Sequence, residues 1–185
     1  MQVSLKLVHS DIAALIKHME FGSNKAMTRA LRDTSQAMET TAVKGIAARV
    51  NLTQREIRQD LTQIRPGYAG STMAAGIRLT KDFWNPSASK FGVVQKKAGV
   101  AATIWKGSRT TYRHTFLMRG ASGGSGVFSH IAGSRKLNKI YGVSASVEVM
   151  RPPVRDAVLA AGVAKFMTRF AHYAKQVIAK QSFMD

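Results

Sequence analysis

The chain has 185 residues, with 28 lysines and arginines against 10 aspartates and glutamates, and a formal net charge of +18 at pH 7. An apolar content of 45% and four prolines exclude wholesale disorder. The lack of cysteine excludes disulfides and thiolate metal sites, and no apolar run reaches the roughly 18–20 residues of a membrane span. We therefore expect a soluble intracellular protein whose charge is neutralised by an acidic partner or an assembly.

The first 65 residues predict a mainly helical arm. Val3, Leu5 and Leu7 alternate with polar residues, which favours a short edge strand over a signal-peptide core. Residues 11–19 predict a short helix. A long helix is expected from an N-cap at Ser23 to about residue 50, because apolar residues recur at spacings of three and four.

A second short helix is predicted after the long one. Thr53 and Glu56 have the spacing of a capping box, in which the two residues satisfy each other's backbone N–H groups. Ile57, Leu61 and Ile64 continue the helical spacing. Pro66 is expected to end this helix, because the residue before a proline avoids the α region.

The middle of the chain, residues 66–150, predicts a basic β-region. It contains twelve lysines and arginines against two acids, Asp82 and Glu148. Alternating apolar and polar residues predict strands over 77–80, 100–105, 112–118 and 143–149. These strands favour an antiparallel sheet with one face in solvent. Residues 84–90 and 120–126 are connections, and the four glycines of the second predict a mobile glycine-rich loop.

The final segment, residues 151–185, predicts one long helix with two apolar stripes, and Pro153 suits its first position. The first stripe comprises Val154, Val158, Ala161, Ala164, Met167, Ala171, Ala174 and Ile178. The second stripe comprises Phe166, Phe170, Tyr173 and Val177. Either the helix has two partners, its own sheet and a neighbouring subunit, or both stripes enter one core. The second stripe is the candidate subunit interface. The fold predicted is a single α+β domain, with an antiparallel sheet packed against a long N-terminal and a long C-terminal helix.

Catalytic and metal-binding patterns are weak. Residues 120–124 match the G-x-S-x-G nucleophile elbow around Ser122, but a glycine-rich loop follows where this chemistry needs a helix. The five histidines are scattered, with no H-E-x-x-H pattern. His114 shares a predicted strand face with Phe116 and Met118, as expected for a partly buried core residue. We therefore predict no enzyme, no cofactor and no metal site.

Basic residues of the middle region are interleaved with Trp105, Tyr112 and Phe128. The candidate surface for an acidic partner or DNA comprises Lys96, Lys97, Lys106, Arg109, Arg113, Arg119, Arg135, Lys136 and Lys139. Three interpretations are open: phosphate contact with some aromatic stacking, ion pairs with an acidic protein, or a solvated face. Base-specific readout is not expected, because no basic recognition helix or helix-turn-helix pattern accompanies these residues.

The order of several segments resembles a known family. These segments are the alanine-rich 26–32, then 43–49 and 53–58, then 126–128 and 140–144, and finally 147–150 before the last helix. In this order the chain resembles, over most of its length, the minor tail protein Z family of tailed bacteriophages and prophages. Gly142-Val143-Ser144 stands where family members commonly carry Gly-Pro-Ser. The resemblance implies a structural virion protein that completes the tail at its head-proximal end, near the tail terminator and the DNA channel.

The predicted function is therefore binding, not catalysis. The chain is expected to form a homo-oligomer, with a hexameric ring suggested by tail symmetry, and to contact tail terminator, tail tube or neck proteins. Contact with the genome end stays open. Its location would be the virion, and the host cytoplasm during assembly. The main alternative is a free basic protein that binds nucleic acid without sequence specificity; a connector of another family and a hydrolase using Ser122 are further alternatives.

Overall fold

The computed structural model describes residues 2–5, 22–69, 72–79, 91–119 and 125–181. Its strands are β1 (Gln2–Leu5), β2 (Leu61–Ala69), β3 (Thr72–Leu79), β4 (Val94–Lys96), β5 (Gly99–Trp105), β6 (Ser108–Arg113), β7 (Thr115–Arg119), β8 (Ser125–His130) and β9 (Leu137–Ile140). Its helices are α1 (Gly22–Arg49), α2 (Gln54–Gln59), α3 (Ala145–Met150) and α4 (Pro152–Gln181). Long N- and C-terminal helices and antiparallel sheets confirm the predicted α+β class. The predicted helix over 11–19, the connection 84–90 and the elbow pattern at 120–124 lie outside the described residues.

The chain divides into two compact units, and both are discontinuous in sequence. Unit 1 comprises residues 1–42, 61–79 and 152–185, and unit 2 comprises residues 43–60 and 80–151. Neither unit coincides with the helical arm, the basic β-region or the C-terminal helix expected from the sequence. The single domain stays a prediction.

Unit 1 packs both long helices on the sheet β1-β3-β2. Ala30 and Leu31 of α1 form a buried cluster with Ala75 of β3 and Phe166 of α4. The predicted spacing of three and four along α1 is confirmed, since Leu31, Thr34, Met38 and Ala42 are all buried. This spacing places one face of the helix on the core.

Polar contacts and a glycine also join α1 to α4 within unit 1. The carboxylate of Asp33 accepts from Arg169 Nε at 3.1 Å and from the Tyr173 hydroxyl at 3.0 Å. A Cβ at Gly162 would lie 3.0 Å from Cγ of Met38, which is fully buried. The missing side chain therefore allows the two helices to approach closely.

Unit 2 contains two three-stranded sheets, β4-β5-β6 and β7-β8-β9. Residues 100–102 of β5 are fully buried on both faces of their strand. Phe91, Ile46 and Val50 are also inaccessible to solvent, so the last turn of α1 contributes to this core. Apolar burial of this kind is the main stabilising contribution to such a unit.

The predicted capping box is confirmed, but the helix after it is shorter than expected. Thr53 accepts from the backbone N–H of Glu56, and the Glu56 carboxylate accepts from the backbone N–H of Thr53. The helix α2 ends at Gln59, and Ile64 lies in strand β2. Pro66 falls at the register shift between Ile64 and Gly67, where a residue without an N–H breaks no ladder hydrogen bond.

The strand predicted over 143–149 is wrong, because residues 145–150 form helix α3. Alternation would have placed Ser144, Ser146 and Glu148 on a solvent face, whereas all three are buried. The two serine hydroxyls lie 2.7 Å apart, and Glu148 donates its backbone N–H to the Ser144 carbonyl. Burial of these polar groups is possible because each is hydrogen-bonded.

The strand predicted over 112–118 is two strands, because the chain turns at His114. Its φ of 56° is left-handed, and its backbone N–H donates to the Ala98 carbonyl. Thr115 then donates to the Tyr112 carbonyl at 2.6 Å and accepts from the Val100 N–H. His114 is exposed at this turn, so its prediction as a partly buried core residue was wrong.

Candidate binding surface

The nine basic residues singled out in the sequence all lie in unit 2, and all are exposed. They occupy strand β4 and the turn after it (Lys96, Lys97), the turn before β6 and that strand (Lys106, Arg109, Arg113), the end of β7 (Arg119), and the β8–β9 hairpin (Arg135, Lys136, Lys139). We refer to these nine residues as the basic surface. Their exposure makes them available to a partner, as either binding interpretation requires.

Carboxylates in the same unit do little to compensate this charge. The described residues of unit 2 hold fourteen lysines and arginines and three carboxylates, Glu56, Asp60 and Glu148. Asp60 and Glu148 are buried, and Glu56 is engaged in the capping box. The described cations of this unit therefore outnumber its described carboxylates, and the excess positive charge attracts anions over distances of about a Debye length.

Strand pairing brings basic residues from separate segments onto one face. Gly99 of β5 pairs with Lys96 of β4 on one side and with Arg113 of β6 on the other. Residues directly opposite each other in a sheet point to the same face, so Lys96 and Arg113 share it. Arg109 lies further along the same strand, within the register shift between β5 and β6.

A groove of about 680 Å³ opens beside this face, where β4 and its approach meet β7. Arg109 and Arg119 line it together with three apolar residues that are unusually exposed: Val94 (47%), Leu117 (36%) and Met118 (37%). A guanidinium N–H of Arg109 donates to the Gly92 carbonyl at 3.2 Å, which holds this head against the groove wall. We refer to this feature as the β4–β7 groove. No sequence pattern indicated it, because its lining residues, about 20 positions apart, come together only when unit 2 is folded.

The side chain of Gln95 joins the two sheets of unit 2. Its amide oxygen accepts from the Leu117 N–H at 2.9 Å, and its amide nitrogen donates to the Thr115 carbonyl at 3.4 Å. One primary amide therefore supplies the donor and acceptor that a neighbouring strand would otherwise present to the edge of β7.

The aromatic residues interleaved with the basic run are used within unit 2. The Arg151 guanidinium lies over the Trp105 ring at 5.4 Å. Phe128 stacks on Phe116, with ring centroids 6.5 Å apart. Burial raises the pKa of the half-buried Tyr112 phenol. These positions do not favour base stacking on the three aromatic residues that the sequence suggested.

Tyr141 is the aromatic residue that the sequence reasoning missed. It follows strand β9, it is 64% exposed, and Lys139 Nζ lies 5.8 Å from its ring centroid. Arg135 and Lys136 stand at the turn of the same hairpin. An exposed aromatic ring among cations is a feature of single-strand binding surfaces, as well as of protein interfaces.

The candidate subunit interface on α4 lies differently from the prediction. Phe166 is 2% exposed inside unit 1, with Phe170 and Tyr173 packed against the same cluster. Phe166 therefore does not present a surface to a second subunit. Exposed apolar side chains on α4 include Val163 (41%) and Met167 (49%), and Met167 belongs to the other predicted stripe. The buried face of α4 combines residues of both predicted stripes. It contains Val154 and Val158 of the first stripe and Phe166 of the second.

Neither a metal-binding cluster nor a membrane-spanning helix is found among the residues that the structure describes. Within these ranges no group of three histidines, aspartates or glutamates is placed to hold a metal ion. None of the described helices combines the length and hydropathy that crossing a bilayer requires. Comparison of the chain with protein-family models, with curated proteins and with solved structures finds no match.

Proposed function

We propose that this chain is a structural protein of a phage or prophage tail, which completes the tail at its head-proximal end and acts by binding. The observation that carries the proposal is the basic surface: nine exposed cations in a unit whose described carboxylates are buried or internally engaged. A protein with this charge needs an acidic partner, such as a tail terminator, tail tube or neck protein. The order of segments, which resembles that of the minor tail protein Z family, supports the tail as the setting.

Oligomerisation is part of this proposal, and the structure changes which residues would support it. Val163 and Met167 leave an apolar strip on the solvent side of α4, whereas Phe166 is internal. When a second copy covers exposed apolar side chains on a helix, their surface is removed from water, and this burial is favourable. A ring, with six subunits suggested by tail symmetry, would repeat the basic surface around an axis, and an acidic partner or the genome end would contact it there.

The test uses particles assembled with and without this protein. Deletion of its gene should give tails that fail to join heads stably, and supply of the unaltered chain from a plasmid should restore infectivity. A labelled copy should appear at the head-proximal end of purified tails by electron microscopy. Normal head–tail joining and infectivity in the deletion strain would refute the proposal, as would absence of the label from tails.

A second function, nucleic-acid binding without sequence specificity, is favoured by one observation. Tyr141 is exposed beside Lys139 on the hairpin that also carries Arg135 and Lys136. This function predicts affinity for a mixed-sequence duplex that falls with salt at a slope of about −0.9 per neutralised phosphate. Charge removal at Arg135, Lys136 and Lys139 should flatten that slope. A duplex interaction that is absent, or independent of salt, would exclude this function.

A further inference from the structure

We infer that the β4–β7 groove binds a segment of a partner protein that is acidic and carries apolar side chains. The inference deepens the proposed function and rests on it, since it names where the acidic partner of the basic surface is held. The groove is lined both by exposed apolar side chains and by arginine guanidinium groups. Neither feature alone identifies an occupant, but together they indicate its chemistry: apolar side chains next to carboxylates.

The apolar part of the groove distinguishes a protein from a nucleic acid. Val94, Leu117 and Met118 each keep more than a third of their surface in water, and all three line the same cavity. Their exposure costs free energy that burial under another apolar group recovers, at about 25 cal/mol per Å². A phosphate backbone offers no such group, whereas leucine, valine or methionine side chains of a peptide do. Methionine and arginine are also enriched in protein interfaces.

The arginines determine the charge of the occupant. Arg109 and Arg119 line the same cavity as the apolar residues, and Lys96 and Arg113 lie on the adjoining sheet face. Arginine carries five N–H donors in a planar head, so Arg109 retains donors after its bond to the Gly92 carbonyl. A carboxylate can accept two such N–H groups side by side, which makes the pairing specific as well as attractive. Glutamate or aspartate next to an apolar residue therefore fits this groove.

Direct peptide binding tests the inference on the full-length protein. The probe is a fluorescein-labelled heptapeptide, Glu-Leu-Glu-Val-Glu-Leu-Glu with blocked ends, titrated by fluorescence polarisation. Two comparison peptides replace every Glu by Lys, or every Leu and Val by Ser. The unaltered protein should bind the first peptide at least about tenfold more tightly than either comparison peptide. The lysine peptide lacks the carboxylates that pair with arginine, and the serine peptide lacks the apolar side chains. Equal binding of the serine peptide would overturn the inference, because charge alone would then explain the interaction.

Variants of the groove and of the distant hairpin locate the binding. Arg109→Gln and Met118→Ser should each weaken the probe by about fivefold or more, and Arg109→Lys should weaken it less than Arg109→Gln. The matched control, Arg135→Gln with Lys136→Gln, removes more charge from the same unit and should change affinity less than twofold. An equal or larger loss in that control would overturn the inference. All four altered side chains are exposed, and melting curves establish that each variant is folded.

These experiments distinguish a failure of the groove assignment from a failure of the proposed tail function. Peptide binding needs no virion, so a protein that enters tails normally but does not bind the probe refutes the groove alone. A protein that binds the probe in the groove but is absent from tails refutes the tail function and leaves the groove standing. Weaker binding of a mixed-sequence duplex by Met118→Ser, to the same degree as the probe, would contradict the assignment to a protein partner.

Discussion

The carboxylate of Glu148 accepts a hydrogen bond from Arg49 Nε at 3.3 Å, although the two residues are 99 positions apart. Arg151 Nε donates to the other carboxylate oxygen at 2.7 Å. The Glu148 side chain is completely buried, while the arginine side chains are 40% and 43% exposed. One carboxylate therefore joins the end of α1 to α3 inside unit 2, and its charge is matched by cations that reach the surface.

Glu148→Ala should destabilise the protein by about 3 kcal/mol. Removal of one partner from a buried ion pair costs about 3–5 kcal/mol, and the lower value applies because both arginines can turn to water. The measurement is urea unfolding followed by circular dichroism. Asp156→Ala is the control: its exposed pair with Arg155 should contribute less than about 1 kcal/mol. Equal midpoints for the two variants would show that the buried carboxylate contributes no more than an exposed ion pair.

Gln95→Leu should loosen the edge of β7 without unfolding unit 2. The substitution removes the three hydrogen bonds of the side-chain amide, to Leu117, Thr115 and Lys96, at a net cost of about 1 kcal/mol. Hydrogen exchange at the Leu117 amide should accelerate several-fold. The amides that pair β8 with β9 serve as the internal control and should keep their rates. Unchanged exchange at Leu117 would show that Gln95 does not protect this edge.

Phe166→Ala should cost about 3–5 kcal/mol, because the ring is buried between α1, β3 and α4 of unit 1. The neighbouring Met167→Ala should change stability by less than about 1 kcal/mol, since this side chain is half exposed. Thermal melting of both variants measures the difference. Similar losses at the two positions would contradict the placement of the buried stripe.

Met167→Glu should abolish self-association while the fold is retained. A carboxylate placed on the Val163–Met167 strip would have to be desolvated when a second copy covers it, and this is unfavourable without a partner. Light scattering after size-exclusion chromatography gives the mass of each species. Thr168→Glu, on an exposed position outside the strip, is the control. If the mass of the Met167→Glu assembly matched that of the unaltered protein, the strip would not be the subunit interface.

Gly99→Ala should destabilise the β5–β6 pair by at least about 2 kcal/mol. Gly99 has a φ of 140°, and a Cβ there would lie 1.9 Å from the Tyr112 carbonyl oxygen. Backbone strain of this kind costs about 1–3 kcal/mol before the clash is counted. Gly107→Ala isolates the strain, because its φ is 75° but nothing lies within 4 Å of the added carbon. Unfolding by urea should therefore rank Gly99→Ala as the more damaging change.

Local patterns in the sequence predicted the elements whose signals lie within four residues. The spacing along α1 and α4, the Thr53–Glu56 capping box and the alternation in β5 each depend on neighbouring residues. The same reasoning failed for residues 143–149, where alternation indicated a strand. There the long-range contact between Arg49 and Glu148 accompanies a helix, and no local pattern contains that contact.

By itself the sequence determined a strongly basic α+β chain without cysteine, whose net positive charge concentrates in the middle because acids are scarce there. Tertiary structure alone decided which stripe of α4 is buried, which aromatic residue is exposed and where arginines meet apolar side chains. The physical reason is that burial and proximity depend on pairs distant in the chain, such as Gln95 with Leu117 and Leu31 with Phe166. Charge is a property of composition, whereas a binding groove exists only where strands and helices pack.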